Sequence, residues 1–204
     1  MVVGKMNLLG IKNKIRDLVQ EYSTSWLDEA MLTSLVNDAI KHIACKTMVF
    51  KKLLNISVTS SNQVPLPDDF LNSIHVKIGN NIYPKVNFED IEFFDGDEYH
   101  YYIDGVLYLS KEVTDTVELF YNYIPIDLNN DSDLLPNIFS GFEKTIIYFC
   151  GSEIMGMEKD LQTQGFFYRI YETNERTFLT ARSNISVGRP VIKKLNTRNY
   201  WNKV

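Results

Sequence analysis

The spacing of apolar residues changes twice along the chain, and this change limits the possible folds more than any other feature. Residues 7–22 and 26–50 place apolar side chains three and four positions apart, the period of a helix with one buried face. Between 53 and 124 the pattern becomes short alternating runs divided by turn residues, as in antiparallel strands. The helical period returns at 138–157 and 160–183. We therefore predict an α+β fold, with an antiparallel bundle of two N-terminal and two C-terminal helices and a β-hairpin-rich insertion.

Local signals predict where the helical elements start and which faces they bury. Lys12, with Lys14 and Arg16, falls opposite the apolar face of the first helix, so we expect it in solvent. Ser25 with Asp28 three residues later resembles a capping box, which predicts that the second helix begins at residue 26.

Turn residues predict the strand pairs of the β segment. Asp104-Gly105 predicts a tight hairpin between the runs 99–103 and 106–109, because this dipeptide adopts positive φ angles at low cost. A strand at 54–59 is expected to turn at 60–63 and pair with the edge-like run 64–67, whose prolines exclude a central strand.

Composition excludes several classes of protein. The chain has 204 residues, 45% of them hydrophobic and 23% charged, which is the balance of a globular protein. No run of about 18 uncharged apolar residues exists, so we expect no membrane partner. Cys45 and Cys150 are too few for a disulfide framework or a four-ligand zinc site, and their apolar helical surroundings predict two buried free thiols in a reducing compartment.

Charge divides the chain into an acidic body and a basic end. Residues 185–204 contain five basic side chains and no acid, whereas the whole chain has 21 basic and 26 acidic side chains. The body, residues 1–184, is thus left with sixteen basic and 26 acidic side chains, a balance of −10. A basic end on an acidic body predicts that the end meets a partner, and that the body does not bind nucleic acid generally.

No motif supports catalysis or a cofactor. His42 and Cys45 lie three apart on one helix, but no second ligand pair accompanies them, so a packed helix position is the stronger interpretation. The alternating run from Asp127 to Asp133 lacks the glycine and the glutamate of a calcium loop. Phosphate-binding glycine loops and a G-x-S-x-G motif are absent from the sequence. We expect a protein that is not an enzyme and has no cofactor, with a nonstandard carboxylate site in 89–104 as the enzymatic alternative.

Tyrosines cluster in the predicted strands, and two interpretations of them stay open. They are Tyr99, Tyr101, Tyr102, Tyr108, Tyr121 and Tyr123. Tyrosine is enriched at protein interfaces, which favours a binding patch. Aromatic residues are also good strand formers, which favours a half-buried sheet.

A short motif after the first predicted strand gives the sequence its family resemblance. Leu66, Pro67, Asp69 and Phe70 form an L-P-x-D-F element, in which we expect Pro67 to end a strand and Asp68 or Asp69 to cap a turn that buries Phe70. A second element follows later in the chain, with Leu135-Pro136, Phe139, Phe142, a polar break at Lys159-Asp160, and then Phe167, Tyr171 and Phe178.

In this order the motifs resemble the head-to-tail connector, or portal adaptor, proteins of tailed phages. These include the tail tubular protein A type of short-tailed phages and the ring proteins of crAss-like phages. The resemblance covers about residues 7–184 and implies a single adaptor domain over 1–184 with an extended C-terminal arm at 185–204.

The resemblance implies a structural virion protein at the head–tail junction, made in the host cytoplasm. Such proteins form homo-oligomeric rings, usually of twelve copies, which join the portal protein to a downstream tail protein and let DNA pass without specific binding. A lower tail ring or a gatekeeper of the same particle is the alternative.

Two sets of residues are candidates for the contacts of such a ring. The arm is expected to bind the portal or a neighbouring subunit, with Tyr200 and Trp201 as anchors. Its basic residues are expected near acidic groups; they include Arg189, Lys193, Lys194 and Arg198. The segment 89–104 has seven acids and no Lys or Arg, and Asp95, Asp97 and Glu98 are candidates for a negative channel wall. An outward, solvated position of these acids is the alternative.

Overall fold

The helices and strands follow the order that the hydrophobic pattern predicts. The computed structural model describes residues 5–19, 26–94 and 96–183. Its α-helices are α1 (Leu8–Val19), α2 (Glu29–Thr47), α3 (Glu143–Met157) and α4 (Leu161–Ser183). Its strands are β1 (Lys51–Ser57), β2 (Ser61–Pro65), β3 (Phe70–Ile78), β4 (Asn81–Tyr83), β5 (His100–Ile103), β6 (Val106–Val113) and β7 (Thr116–Tyr123). Short 3-10 helices lie at Phe88–Phe93 and Asn137–Phe139. The α+β class is confirmed.

Within the described residues the strands form two antiparallel sheets. One sheet has the order β1-β7-β3-β4 and the other has the order β2-β6-β5. The predicted hairpin of β5 and β6 is confirmed, with Ile103 opposite Val106 and with positive φ at Asp104 and Gly105. β2 is an edge strand, as the prolines of the run 64–67 predict; only Pro65 lies within the strand.

The predicted pairing of the first two strands is wrong. β1 pairs with β7, and β2 pairs with β6 in the other sheet. The turn expected at 60–63 lies earlier, since Ser60 has a φ of 48° and β2 already begins at Ser61. Pro65, not Pro67, is the last residue of β2.

Helix ends also differ from the prediction, for local reasons. α2 begins at Glu29 because the Asp28 side chain accepts a hydrogen bond from the Met31 N–H at 2.8 Å, which makes Asp28 the N-cap. It ends at Thr47 because Met48 adopts a left-handed conformation with a φ of 51°. α3 begins at Glu143 rather than 138, after the second 3-10 helix.

Two apolar clusters hold the described residues together. The first joins side chains from all of α1–α4 with residues such as Phe50 and Phe139. The second lies between the two sheets; Val64 and Leu107 come from one, and Val76 and Leu119 come from the other. Tyr123, at the end of β7, packs against both clusters and thus connects the helical part with the sheets.

Lys12 is buried, contrary to the sequence prediction. Its ammonium group forms an ion pair with Glu29 at 2.8 Å and a second ion pair with Asp131. Burial alone would lower the pKa of Lys12, but the hydrogen bonds that its ammonium group donates to these two carboxylates outweigh burial and raise the pKa. A charged side chain on the apolar side of α1 is tolerated because both of its partners are supplied by other segments.

The two cysteines lie in different environments. Cys150 is fully buried in α3, and its thiol donates to the Leu35 carbonyl at 3.4 Å, as expected for a packed free thiol. Burial raises the pKa of this thiol. Cys45 is exposed, so its predicted burial is wrong; it lies on the outer side of α2.

Candidate interaction surfaces

The L-P-x-D-F motif connects one sheet to the other. The Phe70 N–H donates to the Pro67 carbonyl at 2.9 Å, which closes a turn between β2 and β3. The Leu66 N–H donates to the Gly105 carbonyl, also at 2.9 Å, and so binds the motif to the tip of the β5–β6 hairpin. The motif therefore fixes the position of a strand from each sheet.

Asp69 has a different role from the predicted turn cap. Its carboxylate accepts hydrogen bonds from the Tyr121 hydroxyl and the Lys52 ammonium group, both at 2.9 Å. The hydrogen bond to Asp69 raises the pKa of Lys52. Phe70 is half-buried, and its ring stacks on Tyr121 with 5.7 Å between centroids. Asp69 thus holds the turn against β7 and β1 through its side chain.

A buried histidine joins the sheets at a second point, and sequence analysis gave it no role. His100 on β5 is completely buried. Its Nδ1 lies 2.8 Å from the Tyr83 carbonyl, which can only accept, so this nitrogen carries the proton. Its Nε2 then accepts from the Ser73 hydroxyl at 3.0 Å. Burial lowers the pKa of His100 to about 4, so the ring is neutral at pH 7.

The candidate channel acids do not share one environment. Asp95 lies outside the described residues. Glu98 accepts from Lys111 at 2.6 Å and from Asn81 at 3.1 Å, and the Lys111 hydrogen bond lowers the pKa of Glu98. Asp97 is exposed, and its carboxylate forms no ion pair within the described part of the chain. Of the described candidates, only Asp97 adds an uncompensated charge to the surface.

Exposed phenylalanines next to these acids are a feature that sequence analysis missed. Phe88 and Phe93, on the first 3-10 helix, are 61% and 82% exposed. The Phe88 ring lies 5.7 Å from Tyr101, which stacks on Tyr108 with centroids 5.0 Å apart. The sequence contained a signal for this feature. The phenylalanines lie in a strongly acidic segment without the alternation of a half-buried strand, which indicates exposed aromatic side chains.

Some tyrosines of the cluster pack in the interior, and others lie at the surface where a partner could bind. Tyr121 is fully buried between the sheets, whereas Tyr101 and Tyr108 are half-buried on the outer side of the β2-β6-β5 sheet. Tyr101 and Tyr108 therefore remain available to a partner, and Tyr121 has a packing role.

The helical part exposes a second group of apolar side chains, around the start of α4. Its members are Met157, Leu161, Phe166 and Tyr168, which are between 42% and 73% exposed. Another face of α4 buries Phe167, Tyr171 and Phe178 in the helical cluster. α4 therefore has apolar side chains outside its buried face, and they are not covered within the described residues.

A cleft of about 490 Å³ lies where α4 ends beside the sheets. Met48, Phe50 and Leu179 contribute to its lining. Arg182 closes one side, donating to the Ile138 carbonyl at 2.9 Å. The arm begins shortly after this point, and its predicted binding residues lie outside the described part of the chain.

The acidic loop between β7 and α3 uses its carboxylates for structure. Asp127 pairs with Lys41 at 2.7 Å. The Asp133 carboxylate accepts from the backbone N–H groups of Asn129 and Asn130 at 2.8 and 2.9 Å. These bonds fix a turn of the kind that Asp forms with the backbone.

His42 is exposed on α2, and its ring lies 4.8 Å from the Phe149 ring, so it packs at the surface and not in the interior. Among residues 5–19, 26–94 and 96–183, no group of three or more His, Cys, Asp or Glu side chains has the arrangement of a metal site. Within the same ranges no helix is long and apolar enough to cross a membrane.

Comparison with known families decides how these surfaces are to be interpreted. The SU10 adaptor protein family model matches residues 6–184. The chain belongs to the SU10 adaptor protein family. It is therefore a phage structural adaptor, a component of the virion that contacts other phage structural proteins. The match ends where the basic arm begins, so it covers the body of this adaptor and leaves the arm outside. No curated protein matches the chain.

Proposed function

We propose that this adaptor assembles into a homo-oligomeric ring of twelve copies that joins the portal to the tail and continues the DNA channel. The single observation that carries the proposal is the family match over residues 6–184. In this proposal the adaptor binds its neighbours and forms a channel, and it does not catalyse a reaction. The helices, packed as an antiparallel bundle, form the wall of the ring.

Two separate exposed apolar surfaces support a ring. In a cyclic assembly each copy contacts its neighbours through two different patches, one on each side. The adaptor exposes one patch at the start of α4, including Leu161 and Phe166, and another on the first 3-10 helix at Phe88 and Phe93. Apolar patches of this kind mark interaction sites in folded proteins.

The helical patch can be tested by adding charge to it. Phe166→Glu places a carboxylate in the patch, whereas Thr177→Glu adds the same charge to an exposed position eleven residues further along α4 as the matched control. Mass photometry should show loss of the ring with F166E and an intact ring with T177E. Normal ring formation by F166E, with unchanged folding by circular dichroism, would remove this patch from the interface.

The basic arm is the second part of the proposal. We propose that residues 185–204 bind the portal or a neighbouring subunit, with Tyr200 and Trp201 as anchors, because aromatic and Arg side chains dominate interface energetics. Deletion of 185–204 should leave a folded body that no longer joins the portal. Tyr200→Ala with Trp201→Ala retains all five basic residues and separates the aromatic contribution from charge. Normal portal attachment after the deletion would end this role.

The acids near the lumen form the third part. We propose that Asp95 and Asp97 repeat around the ring and repel DNA phosphate, so that DNA passes without binding. Glu98 contributes less because Lys111 compensates its charge. The field of exposed charges reaches only about 8 Å at physiological salt, so these acids act only if they lie at the lumen. A map of the ring with Asp97 on its outer surface would contradict the channel role.

The alternative position, as a lower tail ring or gatekeeper, predicts different neighbours. An adaptor that joins the portal binds purified portal directly. A lower ring binds only after another tail protein is present. Co-purification of the two proteins, each alone and together with the particle's other tail components, separates these positions.

A further inference from the structure

A groove lined by aromatic rings lies on the sheet side of this adaptor. It has a volume of about 500 Å³ and is formed between the first 3-10 helix and β5. Phe88, Tyr101 and Tyr102 lie along it, and Tyr101 continues the aromatic surface by stacking on Tyr108 at an interplanar angle of 4°. Phe93, which is 82% exposed, belongs to the same 3-10 helix. Large exposed aromatic side chains beside a groove are typical of a binding surface.

The 3-10 helix beside this groove is acidic. Glu89 lines the groove, and Asp90 and Glu92 follow on the same helix. All of these acids are exposed, and none forms an ion pair with another described residue. Lys85, the basic residue of the lining, donates to Asn72 and the Tyr102 hydroxyl, and its ammonium group lies 4.4 Å from the Tyr102 ring centroid. Three exposed acids against one lysine leave a net negative charge beside the groove.

This combination selects a ligand that is both aromatic and cationic. Arg and Lys side chains are attracted to aromatic faces, and more strongly where carboxylates stand nearby. Within this chain the segment with that composition is the arm. It contains Arg189, Lys193, Lys194, Arg198 and Lys203, the aromatic pair Tyr200 and Trp201, and no acid.

We propose that the groove at Phe88, together with the adjoining 3-10 helix that carries Phe93, receives the basic arm of a second copy of the chain. The inference rests on the proposed ring, because it makes the arm a contact between neighbouring copies. Arm aromatic rings lie against Phe88 and Phe93, and arm cations lie near Glu89 and Glu92. Each copy then gives its arm to one neighbour and receives the arm of the other.

The place where the body ends allows a second copy to be the donor. α4 ends beside the cleft at the helical part, where Arg182 is bound to Ile138, whereas the groove belongs to the β5 side of the sheets. A chain of twenty residues spans at most about 70 Å when fully extended, enough to reach a neighbouring subunit in contact.

The test uses the full-length protein assembled with its portal. The photoreactive amino acid benzoylphenylalanine replaces Phe93, and unlabelled chains carrying it are mixed with ¹⁵N-labelled chains before assembly. Illumination and peptide mass spectrometry should give adducts to 185–204 that join unlabelled to labelled chains. The control places the same group at Ile82, which is 51% exposed on β4 of the other sheet, and should give roughly tenfold less adduct to the arm.

Charge reversal adds an independent readout. Glu92→Lys should reduce the arm adduct roughly tenfold, because a like charge then faces the arm. Glu112→Lys, at another exposed acid of the sheets, is the matched control and should leave the adduct unchanged.

Adducts only within one chain, or adducts to segments other than 185–204, would overturn the inference. Equal adduct yields with E92K and E112K would overturn it as well. Mass photometry of the same samples decides the proposed function separately, since a ring that forms and binds portal supports that function whatever the adducts show.

Discussion

The buried histidine predicts a loss of stability in mild acid. His100 lies between the sheets, where its Nδ1–H donates to the Tyr83 carbonyl and its Nε2 accepts from the Ser73 hydroxyl. Burial lowers the pKa of its ring to about 4 in the folded protein, and Lys85 and His75 lower it slightly further, while the Tyr83 hydrogen bond opposes the shift. In the unfolded chain the pKa of the same ring is near 6.5.

The two pKa values determine the direction and the magnitude of the change in stability with pH. As the pH falls below 6.5 the unfolded chain takes up a proton at residue 100, and the folded protein does not until about pH 4. Stability from this residue is therefore complete above pH 6.5 and is lost as the pH falls toward 4. Between pH 7.5 and pH 5 the expected loss in the free energy of unfolding is about 2 kcal/mol.

Urea denaturation at pH 7.5 and pH 5 measures this loss, with His100→Gln as the variant that cannot titrate. The free energy of unfolding of the original protein should fall by about 2 kcal/mol more than that of H100Q between the two pH values, because the other acid-sensitive groups are common to both proteins. NMR of the ring protons gives a second measure that needs no variant. If His100 takes up a proton in the folded protein above pH 6, the reasoning from its burial is refuted.

Two further substitutions test the packing that holds the sheets and helices. Tyr121→Phe removes the hydroxyl that donates to Asp69 at 2.9 Å and should lower the free energy of unfolding by about 1 kcal/mol, measured by urea denaturation; no change would show that this bond is dispensable. Gly151→Ala places a methyl group 2.7 Å from a Leu18 methyl and 3.2 Å from the Phe167 ring, and the helix propensity of Ala offsets about 1 kcal/mol of the packing cost. Thermal and urea denaturation should therefore show a net loss of about 1 kcal/mol, and an unchanged midpoint would contradict the close packing.

Periodicity predicts most helices and strands of this adaptor, because the hydrophobic pattern of each element lies within its own segment of the sequence. The helical spacing of residues such as Ile11 and Ile15 indicates the buried face of α1, and Asp104-Gly105 indicates the β5–β6 turn. The pairing of strands cannot be obtained this way. β1 pairs with residues of β7 that lie 59 to 71 positions later, and alternation in either strand carries no information about its partner.

The candidate surfaces are predicted less well, because they depend on contacts between distant segments. The helical pattern predicts that Lys12 is exposed. It is buried because Glu29 and Asp131, from other segments, pair with its ammonium group. Asp69 belongs to a motif visible in the sequence, but its Tyr121 partner lies on β7, far along the chain. The arm and Asp95 lie outside the described residues, so their roles stay predictions.

Cryo-electron microscopy of the intact particle tests the central claim most directly. The account predicts a closed ring of twelve copies of this adaptor between the portal and the tail, with the body of each copy in the ring wall and a continuous channel through its centre. Density for this chain elsewhere in the particle, or as isolated copies that do not close around the channel, would contradict it.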